Sequence, residues 1–197
     1  MAEHDLMAEP LADVLDTLAS EGPAPGGGST AAITVAMAAG LVTMVARASK
    51  GHWEEAGGVI GQAEAFRARV APLVQADAEA YVEALSALRG RDELEPRYRD
   101  QKLQAVLEQA AEIPLQIAET GSDLACLAAL LVQHGNPEVR ADAAAASVLA
   151  EAGARVAALL VEINLGATGD DDPRVRHART LVAVAREASE RAFGAVK

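Results

Sequence analysis

Residues 31–46 are apolar at nearly every position, interrupted only by Gly40 and by Thr34 and Thr43. A run this even has no polar face, which predicts a central helix covered by others on every side. It is shorter than the roughly 18 to 20 residues a bilayer requires and is rich in alanine, so burial in protein is expected, not a membrane span. Ala31, Ala32, Ala36, Ala39 and Gly40 suit close approach of neighbouring backbones, a second subunit included. Elsewhere no stretch alternates with a period of two and β-branched residues, so no sheet is expected.

The breaks in this pattern set the helix boundaries. Leu11–Leu18 reads as a short first helix, and residues 20–28 as a loop dominated by Pro23, Pro25 and the three consecutive glycines Gly26, Gly27 and Gly28. Ser29 is expected to cap the central helix through its hydroxyl. A long helical pattern over 54–89 contains Pro72, which predicts a kink through loss of a backbone donor. After a charged turn at 90–95, Pro96 suits a first helical position, and the pattern runs to His134 with a second kink at Pro114. Gly135 stops it, and His134 beside that end suits a capping role. Asn136-Pro137-Glu138 then reads as cap, first position and dipole-favoured acid of a helix ending near Gly166. A loop over 166–172 leads through Asp172-Pro173 into a last helix reaching about Phe193. The predicted fold is all-α: a compact bundle of about six helices, two of them long and proline-kinked, without a sheet, forming one domain over 1–197.

Composition narrows the function classes. Hydrophobic residues make up 51% of the chain and aromatics only 3%, a balance carried by alanine and suited to closely packed helices. The formal charge of −12, from 29 acidic and 17 basic residues, argues against a nucleic-acid or anionic-membrane surface, so an anionic ligand needs a local site. The single cysteine, Cys126, has no disulfide partner and reads as a small buried hydrophobe. Residues 1–10 carry acids and no apolar signal-peptide core, which predicts a cytoplasmic protein.

The loop Gly22-Pro23-Ala24-Pro25-Gly26-Gly27-Gly28-Ser29 is the most unusual local feature. Three glycines open conformations closed to other residues, and the helix behind them offers free N–H groups with partial positive charge, a recipe for close approach to a polar ligand. A plain connector is the competing reading. It is not a P-loop, since no Gly-Lys-Ser or Gly-Lys-Thr follows. Asp77 has Leu73, Ala80, Tyr81 and Leu85 as helical neighbours, which places a carboxylate on an apolar stripe. Burial there raises its pKa toward values useful for proton transfer, though a bond to a neighbouring helix end would also account for it. Asp142 shares a stripe with Val139, Ala146 and Leu149, and Asn164 projects within about 40° of it on the same helix; stabilisation of the helix dipole is the alternative for Asp142. Histidines 4, 52, 134 and 177 form no metal motif.

Pro23-Ala24-Pro25-Gly26-Gly27-Gly28-Ser29 followed by an Ala-rich helix resembles the formimidoyltetrahydrofolate cyclodeaminase and methenyltetrahydrofolate cyclohydrolase family. Further matches follow in order: Asp77-Ala78-Glu79-Ala80-Tyr81, Glu112-Ile113-Pro114-Leu115, Gly135-Asn136, Asp142-Ala143 and Ile163-Asn164-Leu165. The resemblance covers about 11–183. Lys50-Gly51 stands where the family commonly has Gly-Lys, and Leu88-Arg89-Gly90 where a Leu-Pro-Lys turn is usual. The resemblance implies an all-helical homodimer that binds a tetrahydrofolate derivative as substrate near the glycine loop, with no metal and no tightly bound cofactor. Asp77 would then shuttle a proton. Pro25, Gly26, Gly27, Gly28, Ser29, Tyr81, Asp142 and Asn164 would contact substrate, and Arg47 and Lys50 would answer the charge of the folate glutamate. The implied reaction is cyclisation of 5-formimidoyltetrahydrofolate to 5,10-methenyltetrahydrofolate with loss of ammonia. Hydrolysis of methenyltetrahydrofolate to the 10-formyl form is the alternative, and a helical binding or scaffold protein without activity is a third.

Overall fold

Among the described residues, which are 5–89, 96–166 and 172–196 of a computed structural model, the chain forms seven α-helices and no strand. They are α1 (Leu11–Leu18), α2 (Gly27–Ala48), α3 (Ala56–Val70), α4 (Leu73–Arg89), α5 (Pro96–His134), α6 (Arg140–Leu165) and α7 (Pro173–Gly194). The charged turn expected over 90–95 and most of the loop expected over 166–172 lie outside the described residues.

Local chemistry sets several boundaries as expected. Asn136 accepts from the Glu138 N–H at 3.0 Å, and Asp172 from the Arg174 N–H at 2.8 Å; each acidic or amide side chain satisfies a first-turn donor that has no intrahelical partner. The Asn136 turn is a short 3-10 segment, Pro137–Val139, that leads into α6. Two expectations are corrected. Ser29 is not the cap: α2 starts at Gly27 behind Gly26, and no side chain caps it, because the Ser29 hydroxyl is drawn to α4 instead. Pro72 gives a break and not a kink. The backbone ladder lapses between Val70 and Leu73 and restarts where the Val74 N–H reaches the Ala71 carbonyl and the Ala76 N–H the Pro72 carbonyl, both at 3.2 Å.

Helices α2, α5 and α6 form the core, with α7 packed on α5 and α6. Helix α6 runs antiparallel to α2. At one end Ser49 accepts from the Asn136 N–H at 2.9 Å; further along, a Cβ on Gly153 would sit 3.1 Å from the Ala31 carbonyl and 2.5 Å from Val35 Cγ2. Helix α5 is equally close to α6: a Cβ on Gly121 would lie 2.9 Å from the Ala150 carbonyl. Most of the buried apolar residues are alanine, so these backbones meet with little side chain between them. Polar ties add register, with Ser147 donating to the Ala125 carbonyl at 3.0 Å and Ser122 to the Leu181 carbonyl at 3.1 Å.

The central helix departs from expectation in two ways. It is 22 residues long, because Gly27 to Thr30 and Arg47 to Ala48 extend the apolar run; by length and composition alone it could cross a membrane, as could stretches of 31 and 29 residues in 104–134 and 137–165. Of these windows, 50 to 67% is buried within the chain. Nor is α2 covered all round. Met37 and Met44 are 50% and 40% exposed, on one side with half-buried Ile33 and Gly40.

Candidate active site

Helix α4 brings Asp77 beneath the start of α2. The Ser29 hydroxyl donates to Asp77 Oδ2 at 3.1 Å, and Gly28 lies so close to the carboxyl group that any Cβ there would overlap it. Burial raises the Asp77 pKa above its ordinary 3.8, since the charged form loses water; the Ser29 hydroxyl and backbone N–H pull it part of the way back. A carboxyl group so placed holds a proton at higher pH than a surface aspartate and can return it to a bound molecule.

The carboxyl group opens on a cleft of about 220 Å3. Its rim is Pro23, Gly26 and Gly27, one wall is Ala80, Tyr81 and Ala84 of α4, and the other is Ala110 and Pro114 of α5 with Leu160 and Asn164 of α6. Gly27 and Gly28 are in the first turn of α2, where backbone N–H groups have no intrahelical acceptor. Helix-end donors, one carboxyl group and flat apolar walls therefore converge. Broader, more open hollows occur over Met37, Glu64 and Arg67 and over Arg155, Leu159 and Arg179, but their carboxylates, Glu64 and Glu162, are paired with Arg47 and Arg179.

The structure thus brings together Gly26, Gly27, Gly28, Ser29, Asp77, Tyr81 and Asn164. The glycines act differently from the sequence expectation. None of the three takes a positive φ; Gly26 has φ −129°, and a Cβ on Gly26 or Gly27 would meet open space. Their contribution is bareness: Gly28 leaves room for the Asp77 carboxyl group, and Gly26 and Gly27 keep side chains out of the cleft. Pro25 is half-buried behind the rim and does not line the cleft. Tyr81 is 53% exposed at the cleft mouth.

Three candidates lie elsewhere. Arg47 pairs with Glu64 at 2.7 Å, and Lys50 is exposed beyond the C-terminus of α2, about 35 Å from Gly27 at 1.5 Å per residue. Asp142 is exposed in the first turn of α6, about 30 Å from Asn164. None of the three lines the cleft. Leu88 and Gly90, at the second departure from the family pattern, are not among the described side chains. His134, in the last turn of α5, stacks obliquely on Trp53, with ring centroids 5.4 Å apart. Among the described residues no group of three His, Cys, Asp or Glu side chains is placed to hold a metal.

Sequence reasoning missed the α5 wall. Pro114 was legible as a kink, but a proline inside a helix also frees the carbonyl four residues earlier, that of Ala110. Asn164 Nδ2 donates to this carbonyl at 3.1 Å.

Comparison with known proteins gives the family of the chain. The family model described as formiminotransferase-cyclodeaminase matches residues 10–182. The methenyltetrahydrofolate cyclohydrolase of Methylorubrum extorquens is 34% identical, over 96% of both chains. The formimidoyltransferase-cyclodeaminase of Sus scrofa is 33% identical over 96% of this chain, which spans 37% of that longer protein. Among solved structures, formiminotetrahydrofolate cyclodeaminase from Thermotoga maritima superposes with a TM-score of 0.84 at 25% identity, over 96% of both chains.

Proposed function

The chain belongs to the formiminotransferase-cyclodeaminase family, and from that premise we propose that it is an enzyme of folate one-carbon metabolism that cyclises 5-formimidoyltetrahydrofolate to 5,10-methenyltetrahydrofolate. The observation that carries the reading is Asp77: a half-buried carboxyl group whose pKa is raised by loss of water, hydrogen-bonded to Ser29, at the floor of a cleft rimmed by helix-end N–H groups. In the cyclisation the second substrate nitrogen attacks the formimidoyl carbon, a C–N bond forms, and the former imine nitrogen departs as ammonia. One proton must leave the attacking nitrogen and the departing nitrogen must gain protons. Asp77 takes the first and delivers it to the second, the further proton that ammonia needs comes from solvent, and the protein supplies no covalent nucleophile. The cleft is smaller than the roughly 300–1,000 Å3 of drug-sized ligand sites, so it takes the reacting ring system and leaves the folate tail outside.

Hydrolytic opening of methenyltetrahydrofolate to the 10-formyl form is the second reading, favoured by the cyclohydrolase relative that matches from end to end. It uses the same carboxylate as the base that takes a proton from the attacking water. Incubating purified protein with each folate, following methenyltetrahydrofolate absorbance and measuring ammonia, separates them. Absorbance that appears with ammonia supports cyclisation, absorbance that disappears without ammonia supports hydrolysis, and no change with either substrate refutes both.

The whole chain acts as one catalytic domain, in the cytoplasm, without a tightly bound cofactor or a nucleic-acid or membrane partner. It works as a homodimer joined through the exposed Met37 and Met44 side of α2. In that arrangement Arg47 and Lys50 lie near the subunit junction, and the folate tail is left to the cleft mouth.

A further inference from the structure

Pro114 has no N–H, so the Ala110 carbonyl lacks the donor that an unbroken helix would give it. Asn164, in the last turn of α6, fills the place: Nδ2 donates to that carbonyl at 3.1 Å. Only the NH2 side of an amide can face a carbonyl oxygen, so this one bond decides which way the Asn164 side chain is turned. With Nδ2 committed, Oδ1 has no hydrogen-bond partner among the described residues and is not a buried orphan. Asn164, Ala110 and Pro114 all line the cleft that contains Asp77.

We propose that Asn164 is a specificity-determining residue whose Oδ1, held as an acceptor by the Ala110 carbonyl that Pro114 frees, takes a hydrogen bond from a ring N–H of a reduced pteridine. The inference rests on the folate reading above and adds to it a choice of oxidation state. A tetrahydropteridine carries ring N–H groups where the fully oxidised ring has only lone pairs. A fixed acceptor therefore attracts the first and repels the second, whereas an amide free to flip would offer a donor to the oxidised ring as readily. Pro114 in this account is a positioning residue that acts through Asn164.

The test is a double-mutant cycle on the full chain, with dissociation constants for tetrahydrofolate and folic acid measured on the parent, Asn164→Ala, Pro114→Ala and the double variant. Pro114→Ala returns an N–H to the Ala110 carbonyl, leaves Asn164 in place and improves the helix, so it should melt no lower than the parent. The parent should prefer tetrahydrofolate. Asn164→Ala should lose about three- to tenfold of that preference, the worth of one hydrogen bond. Pro114→Ala should lose a smaller share, and the double variant no more than Asn164→Ala alone. In 15N–1H spectra of the ligand-free protein, the Asn164 side-chain amide should show one hydrogen slow to exchange, and Pro114→Ala should abolish that protection. Unchanged preference in Asn164→Ala, or a Pro114→Ala effect equally large with Asn164 removed, overturns this proposal alone. A parent that binds neither folate overturns the folate reading and the ligand part of the proposal together, and the spectra then judge the Asn164–Ala110 contact by themselves.

Discussion

Replacing Gly28 by alanine should remove turnover while sparing most of the stability. A methyl group on Gly28 falls on the Asp77 carboxyl group, with Oδ2 2.5 Å away and Oδ1 and Cγ nearer still, at least about 1 Å inside ordinary van der Waals contact. The carboxyl group is the end of a side chain and can swing aside, but the swing takes it from Ser29. That hydroxyl is 3.1 Å from Oδ2, and a further 1 Å or so ends the hydrogen bond. Misplacing a reacting group by about 1 Å costs on the order of 10²-fold in rate. On the stability side, alanine is better than glycine in a helix by about 1 kcal/mol, which offsets part of the roughly 1–3 kcal/mol of overpacking. The remaining 0–2 kcal/mol or so corresponds to at most about 8 °C in Tm for a chain of this length. Initial rates from methenyltetrahydrofolate absorbance, with a thermal melt followed by circular dichroism on the same preparation, measure both. Turnover within about threefold of the parent, against the 10²-fold loss expected, would refute the placement of Asp77 at the reacting centre.

Asp77→Asn should lower turnover by about two to four orders of magnitude with little change in folate affinity. It should also melt higher than the parent near neutral pH: burial raises the folded pKa above the ordinary 3.8, so the stabilising share of the protonated group is lost as pH rises through the folded value, and asparagine escapes that loss. The gap should close as pH falls toward 3.8; an Asn variant that melts lower at neutral pH would mean that Asp77 ties helices together. Ser29→Ala removes a group that lowers the Asp77 pKa, so the limb of the pH–rate profile belonging to Asp77 should move to higher pH, and an unmoved limb would detach Ser29 from the chemistry. Met37→Glu should convert a dimer into a monomer by light scattering at micromolar concentration; a parent already monomeric there would sink the dimer. Activity should survive exhaustive chelation, and loss restored by one divalent ion would contradict metal independence.

What the sequence made legible follows from how local each signal is. Asn136, Gly135 and Asp172 act on donors and acceptors two or three residues away, so their helix ends could be read directly. Asp77 was found because its spacing from Leu73, Ala80 and Tyr81 sets its face, and a carboxyl group on an apolar face needs a reason. Periodicity gives a direction around a helix and nothing about height along it. That is why Asp142, on nearly the same face as Asn164, lies at the opposite end of the bundle, and why Arg47 and Lys50, one helix away from the glycines, do not line the cleft. The two prolines show the other limit. Pro72 breaks its helix, while Pro114 leaves α5 continuous and the Ala110 carbonyl it frees is bonded to Asn164, a partner 54 residues further along the chain, which no local pattern displays.

An interior built of alanine inverts the usual vulnerability of a protein core. Alanine has no side-chain rotamers to freeze, so ordering it is nearly free of that entropic penalty, and it leaves nothing sizeable to delete. Where Gly121 and Gly153 hold backbones at contact distance, there is no slack for even one more methyl group. Harmful change in this chain therefore comes by enlargement and seldom by truncation. Alanine scanning would pass over most of its core in silence, whereas replacement by valine or leucine at the same positions would map it.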